Sequence, residues 1–156
     1  MSAIEYRRIG AECIDEIQGL WEQLNGLHAD VSSHFGERFK GYSFAQRKKS
    51  LLEDARDGEL CIFVAHDPAE GRDVGYCVSS FRGRKQSEIE SLFLERSHRG
   101  RRIGEALMER SMDWLKEQGA RDVIICVVSG NEDVMNFYRR HGFDPYCIIM
   151  RRVEDN

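Results

Sequence analysis

This chain is short of the features that mark several large protein classes. Its 156 residues include only two prolines, Pro68 and Pro145, and no Pro/Ser-rich or low-complexity tract. No linker therefore divides it, and a single domain over 1–156 is expected. No apolar run is long enough to span a bilayer, and the opening Met1-Ser2-Ala3-Ile4-Glu5-Tyr6-Arg7-Arg8 lacks the apolar core of a signal peptide. The five cysteines (Cys13, Cys61, Cys77, Cys126 and Cys147) are odd in number and scattered, with no Cys-x-x-Cys pair. Neither a disulfide framework nor a zinc site is indicated, and they read as reduced, small core hydrophobes. An excess of positive charge is missing as well: the net charge is −4, which speaks against general nucleic-acid binding. A cytoplasmic protein with neither membrane nor nucleic acid as partner is the expectation.

What is present is a globular composition, 41% hydrophobic, in a chain long enough to bury a core without staples. The basic residues are uneven: Arg82, Arg84, Lys85, Arg96, Arg99, Arg101 and Arg102 crowd one stretch of an acidic chain. Such local charge suits a small anionic ligand better than a long polyanion.

Periodicity predicts a strand at 3–9, a helix from Ala11 to about His28, an irregular stretch to Tyr42, and a helix capped by Ser43 that runs to Arg56 and ends at Gly58. Strands follow at 60–66, 74–81 and 88–94, with turns at Pro68–Gly71 and Arg82–Arg84. Ile103, Ala106, Leu107, Trp114 and Leu115 stripe the next helix, which Gly119 stops. Asp122 to Val128 reads as a strand buried on both faces, Asn131 to His141 as a short helix, and Phe143 to Arg152 as a last strand. The order β-α-α-β-β-β-α-β-α-β is an α+β sheet flanked by helices.

The most informative segment joins the apolar strand 89–94 to that striped helix through Glu95-Arg96-Ser97-His98-Arg99-Gly100-Arg101-Arg102-Ile103-Gly104. The first turn of a helix carries N–H groups without partners and a partial positive charge, so it favours an anion. Glycine lets the main chain approach, and arginine adds forked donors. This is a phosphate cradle. His98, inside it, is expected at the surface.

Arg99 to Gly104 resembles the R/Q-x-x-G-x-G/A signature of the GNAT superfamily of N-acetyltransferases. Arg99 stands at its first position and Gly104 at its last, while Arg102 replaces the middle glycine. That departure weakens cofactor binding, or adds a phosphate contact if the backbone there keeps φ negative. A second segment, Asn131 to Phe143, resembles the family's N-x-x-A-x-x-F-Y-x-x-x-G-F: Asn131, Phe137, Tyr138, Gly142 and Phe143 agree, and Val134 replaces the alanine.

The resemblance implies a GNAT-like acyl-CoA N-acyltransferase fold with a central, mostly antiparallel mixed sheet. Residues 1–57 would form the acceptor side and 58–152 the acetyl-CoA-binding core. It implies acetyl-CoA as acyl donor, with the main chain of Leu92, Phe93 and Leu94 on the pantetheine arm. Arg99, Gly100, Arg101, Arg102, Ile103 and Gly104 would take the pyrophosphate, and Asn131 and Asn136 would lie within reach of the cofactor. Tyr138 would be the acid for the leaving thiolate and Glu90 the base, with Glu88 sharing its face. The expected reaction is direct acetyl transfer to an amine, small or peptidic, in a ternary complex. The rival is a non-catalytic acyl-CoA sensor on the same fold. Ile148, Ile149 and Met150 leave two readings open, strand pairing across a homodimer or filling of the core.

Overall fold

Five strands build one sheet in the sequential order β1-β2-β3-β4-β5. The computed structural model describes residues 2–55, 59–83 and 86–154. The strands are β1 (Glu5–Ile9), β2 (Glu59–Asp67), β3 (Arg72–Phe81), β4 (Ser87–Leu94) and β5 (Val123–Ile125). The first four are antiparallel neighbours, and β5 runs parallel to β4 over only Ser87–Ile89. This is the mostly antiparallel mixed sheet expected.

Helices cover both faces. On one lie a 3₁₀ segment (Ala11–Ile17), α1 (Gln18–Val31), the short α2 (Gly36–Lys40) and α3 (Phe44–Asp54). There Ile14, Ile17, Trp21 and Leu51 pack on Ile62, Val64, Tyr76 and Val78. On the other face, α4 (Ile103–Gln118) sets Leu107, Met108, Trp114 and Leu115 against Cys61, Ala65, Val74 and Cys77. Alternate residues of β2 and β3 thus feed two cores, which is why both strands read as nearly continuous apolar runs. Ser43 caps α3 through a capping box with Gln46. Gly119 closes α4 at φ 89°. The predicted helix end at Arg56 and Gly58, and the basic residues Arg84 and Lys85, lie outside the described residues.

Two expectations are corrected. The strand predicted over 122–128 is paired only at Val123–Ile125, where it is half-buried, and Asp122 and Cys126 are exposed, so it is not buried on both faces. The strand predicted over 143–152 does not form: after α5 (Met135–Arg140) residues 143–154 run without regular structure. Each strand would need the other, or a further partner, to complete its hydrogen bonds.

Candidate active site

The site follows from how β4 leaves the sheet. Beyond Ile89 it keeps β3 on one side while the other side opens. Gly75 on β3 permits close approach there, since a Cβ would sit 2.9 Å from the Phe93 carbonyl oxygen. That contact shows that the Phe93 main chain faces β3, so alternation turns the N–H and C=O of Leu92 and Leu94 outward. Of the three residues expected on the pantetheine arm, Leu92 and Leu94 therefore present their main chain to the opening, and Phe93 does not. The Leu94 carbonyl already accepts from Arg99 Nε at 3.2 Å.

Next comes the cradle. Gly100 has φ 80°. Arg102 has φ 60° and ψ 19°, a left-handed residue just before α4. The negative φ that a phosphate contact from Arg102 required is therefore absent: the arginine occupies the backbone conformation that a glycine adopts without strain. Its carbonyl accepts from Ala106 N–H at 3.1 Å. The N–H groups of Ile103, Gly104 and Glu105 thus head the helix without backward partners. The ring of Phe137 rests 3.6 Å from where a Gly104 side chain would begin, tying α5 to the first turn of α4.

His98 is buried (2% exposed), which corrects its expected surface position. Its Nε2 pairs with Asp67 Oδ2 at 2.8 Å, and Ser97 Oγ lies 2.8 Å from Nδ1. Asp67 ends β2, so this pair latches the phosphate turn to the β2–β3 hairpin. The bond from His98, with backbone N–H groups of the hairpin, holds the Asp67 carboxyl below its ordinary range. Arg72 reinforces the latch by joining Glu70 and Glu95. Donor atoms of Asp67, Glu70 and His98 lie within 4.8 Å of one another, but His98 and Asp67 already satisfy each other. The sequence offered a histidine in a turn and an aspartate 31 residues before it; nothing local linked them.

On the α1/α3 side, β4 carries a bulge. Val78 pairs with Ser91 and Ser79 with Ile89, leaving Glu90 as the extra residue. Glu90 is nearly enclosed (3% exposed). Its carboxylate accepts from Ser80 Oγ at 2.9 Å and Arg82 at 2.6 Å, and meets Arg47 at 3.3 Å. Arg47 also donates to the Glu90 carbonyl at 2.8 Å. Glu88 lies 3.1 Å from the same Arg82 nitrogen, and Asp54 3.4 Å from it. Burial, then the Glu90 charge, raises the Glu88 carboxyl above its ordinary 4.5. Arg47, Ser80 and Asp54 were missed from the sequence because they sit on separate elements.

Tyr138 lies under the opposite face with Phe137 and the α4 cluster. Burial, then Cys77, lifts its phenol above 10.0. Its hydroxyl makes no hydrogen bond among the described residues. The Asn131 side chain makes no cap hydrogen bond, so its local role is the turn itself. That turn is wedged against α1, since a Cβ on Gly130 (φ 100°) would lie 2.2 Å from the Val31 carbonyl oxygen. Asn136 is exposed and accepts from Arg139 at 3.3 Å. The His28 ring packs at a tilt against Phe39, and burial lowers its pKa.

An opened strand whose free main chain leads to an anion-favouring helix start suits a long ligand that ends in phosphate. The chain belongs to the acetyltransferase (GNAT) family, whose sequence model matches residues 24–143. It is 30% identical to an uncharacterized N-acetyltransferase of Methanocaldococcus jannaschii, over 71% of this chain and 52% of that protein. It is 34% identical to a streptothricin acetyltransferase of Streptomyces lavendulae, over 61% of this chain and 51% of that one. The chain thus spans about half the length of these curated relatives. Among solved structures, the aminoglycoside N-acetyltransferase AAC(6')-Iy in complex with CoA shares the fold at TM-score 0.71 and 18% identity, over 97% of this chain and 95% of that one. A glucosamine-6-phosphate N-acetyltransferase from Arabidopsis thaliana does so at TM-score 0.65 and 19% identity, over 99% of this chain and 100% of that one.

Proposed function

We propose that this protein transfers the acetyl group of acetyl-CoA directly to an amine while both substrates are bound. The observation that carries the reading is the continuity of the open side of β4 with the free N–H groups of α4. Leu92 and Leu94 would hold the pantetheine arm, with Arg99, Gly100, Arg101, Ile103 and Gly104 at the pyrophosphate. Arg102 would keep the turn's shape at a cost in strain, while Asn131 supports the strand-to-helix turn beside it. Asn136 would contribute least, with its side chain toward solvent.

In this reading the amine nitrogen attacks the thioester carbonyl and the C–S bond breaks. The amine proton passes to the Glu88–Glu90 pair and a proton from Tyr138 goes to the leaving thiolate. Glu90, held by two arginines, keeps the pair anchored. Glu88, with its carboxyl raised by burial and by the Glu90 charge, takes the proton. A phenol raised above 10.0 gives up its proton only with assistance, as the thiolate builds charge beside it.

The acceptor is a cationic small-molecule or peptide amine. Three carboxylates, Asp54, Glu88 and Glu90, face two guanidinium groups, Arg47 and Arg82, which leaves a modest negative balance. Relatives named for streptothricin and aminoglycosides fit that charge. The expected cytoplasmic location belongs to the same proposal. No described helix is long and apolar enough to cross a membrane.

The test is thiol release from acetyl-CoA with a panel of amines, alongside thermal melting with acetyl-CoA, ATP and NAD. Stabilisation by acetyl-CoA alone together with amine-dependent release supports the enzyme. Stabilisation without release from any amine would make the protein a sensor, and no stabilisation would remove the cradle reading.

A further inference from the structure

The face of β4 that looks toward α1 and α3 carries a polar pair that the proposed transfer leaves unused. Along β3, Tyr76 and Val78 belong to the core under those helices, and Ser80 follows on the same side. Against them β4 sets two polar side chains, Glu90 on Ser80 and Ser91 on Tyr76. Tyr76 is wholly buried, and its hydroxyl lies 2.7 Å from Ser91 Oγ. Ser91 is half-buried, and the next residue, Leu92, turns its main chain to the open side of β4. In chain order the serine thus falls between the Glu90 carboxylate and the stretch proposed for the pantetheine arm.

Burial decides which hydroxyl donates. Neither makes another hydrogen bond among the described residues. A buried donor left without an acceptor is costly, and Ser91 Oγ is the acceptor that the Tyr76 hydrogen meets. Burial also pushes the Tyr76 phenol above its ordinary 10.0, so the proton stays on it. Tyr76 therefore donates and Ser91 accepts. That bond fixes the serine rotamer and leaves its own O–H and one lone pair on the half-exposed side.

We propose that Ser91 holds an N–H of the acceptor amine with this lone pair and thereby selects primary over secondary amines; the inference rests on the direct transfer proposed above. A primary ammonium leaves one proton in solvent and reacts as R–NH2. Its nitrogen bonds to the acyl carbon as the C–S bond breaks, one proton passes to the Glu88–Glu90 pair, and the thiolate takes one from Tyr138. The amide product keeps a single N–H, the one that Ser91 holds throughout. A secondary amine ends as an amide without any N–H. The serine lone pair is then left empty, and the second alkyl group points at it. The carboxylates cannot make this choice, because their charge attracts primary and secondary ammonium ions alike. A hydroxyl also keeps its hold once the amine is neutral, when the pull of the carboxylates has faded.

The test compares a primary amine with its N-methyl derivative, by thiol release from acetyl-CoA. The parent should favour the primary amine, and Ser91→Ala should reduce that preference about 10-fold, chiefly through kcat/KM for the primary amine. Ser91→Thr keeps the hydroxyl and should retain most of the preference. Tyr76→Phe leaves Ser91 in place but frees its rotamer, so the preference should fall in the same direction. Added to Ser91→Ala, it should change nothing further. Acetyl-CoA affinity in calorimetric titration should be equal in all of them, since Ser91 touches the amine and not the cofactor. With the parent active, a preference unchanged in Ser91→Ala would overturn the role of Ser91 and leave the transferase standing. An equal loss for both amines, or a matching loss of acetyl-CoA affinity, would do the same by making the pair structural. No turnover of any amine by the parent would overturn the direct transfer and this selectivity with it.

Discussion

Arg102 shows how one side chain can carry strain that a glycine at the same position would remove. A left-handed non-glycine residue costs about 1–2 kcal/mol. Arg102→Gly should therefore raise the melting temperature of the free protein by about 2–4 °C per kcal/mol recovered, measured by calorimetry without ligand. An unchanged or lower melting temperature would mean that the guanidinium contributes more than the backbone loses. Tyr138 gives a kinetic expectation. Tyr138→Phe should lower kcat by about 100-fold and leave the KM for acetyl-CoA nearly unchanged. Its raised pKa keeps the phenol protonated throughout the neutral and mildly alkaline range, so it should produce no fall in kcat between about pH 7 and pH 10. Glu88 gives an expectation for stability. Its carboxyl is raised in the fold, so the native state favours the protonated form. That stabilising bias is present at low pH and is lost as pH rises through 4.5 and beyond. Glu88→Gln should thus melt higher than the parent at pH 7, with the difference shrinking toward pH 4. It should also erase the acidic limb of kcat/KM. Retention of that limb would move the base to Glu90.

At the scale of elements, the placement of the phosphate turn depends on a contact between two segments far apart in sequence. The His98–Asp67 pair is enclosed, and removing His98 leaves the buried Asp67 Oδ2 with only the Arg101 guanidinium, 3.9 Å away. His98→Ala should lower the melting temperature and weaken acetyl-CoA binding several-fold in calorimetric titration. His98→Gln, which can still donate to Asp67, should recover part of both. Equal affinity in the alanine variant would show that the turn holds its shape without the latch. Because Asp67 is lowered in the fold, the stability it contributes is present above its ordinary 3.8 and lost as pH falls below that value. This latch was not legible from periodicity, which reports the neighbours of a residue along one element and not across elements. The helix start was legible, since glycines, arginines and the apolar stripe all lie within one local stretch. The Arg82–Glu90 network falls between these cases: both carboxylates were visible on one strand. The Glu90 partner Arg47, on α3, and the bulge that aims Glu90 came from the packing.

For the whole molecule, periodicity gave the run of strands and helices, the mixed sheet came from the family resemblance, and the two strands misjudged are those at the β5 end of the chain. Val123 to Val128 is apolar enough to be a central strand, yet hydrogen-bonded length is decided by neighbours, and β4 turns away after Ile89. The same divergence opens the side of β4 proposed for the pantetheine arm, so the shortening of β5 and the proposed function share one cause. Amide exchange can test that link. In the free protein the amides of β2 and β3, paired on both sides, should exchange most slowly, and those of β5 much faster. Acetyl-CoA should then slow the outward amides of Leu92 and Leu94 and the free amides of Ile103, Gly104 and Glu105. It should leave β1 and the β1-facing edge of β2 unchanged, because no part of that region borders the wedge. Protection confined to the α4 amides would restrict the ligand's hold to its phosphates and take the pantetheine role from β4. Protection of Leu92 and Leu94 together with the α4 amides would join strand and helix start into one continuous binding surface, as direct transfer at the mouth of the wedge requires.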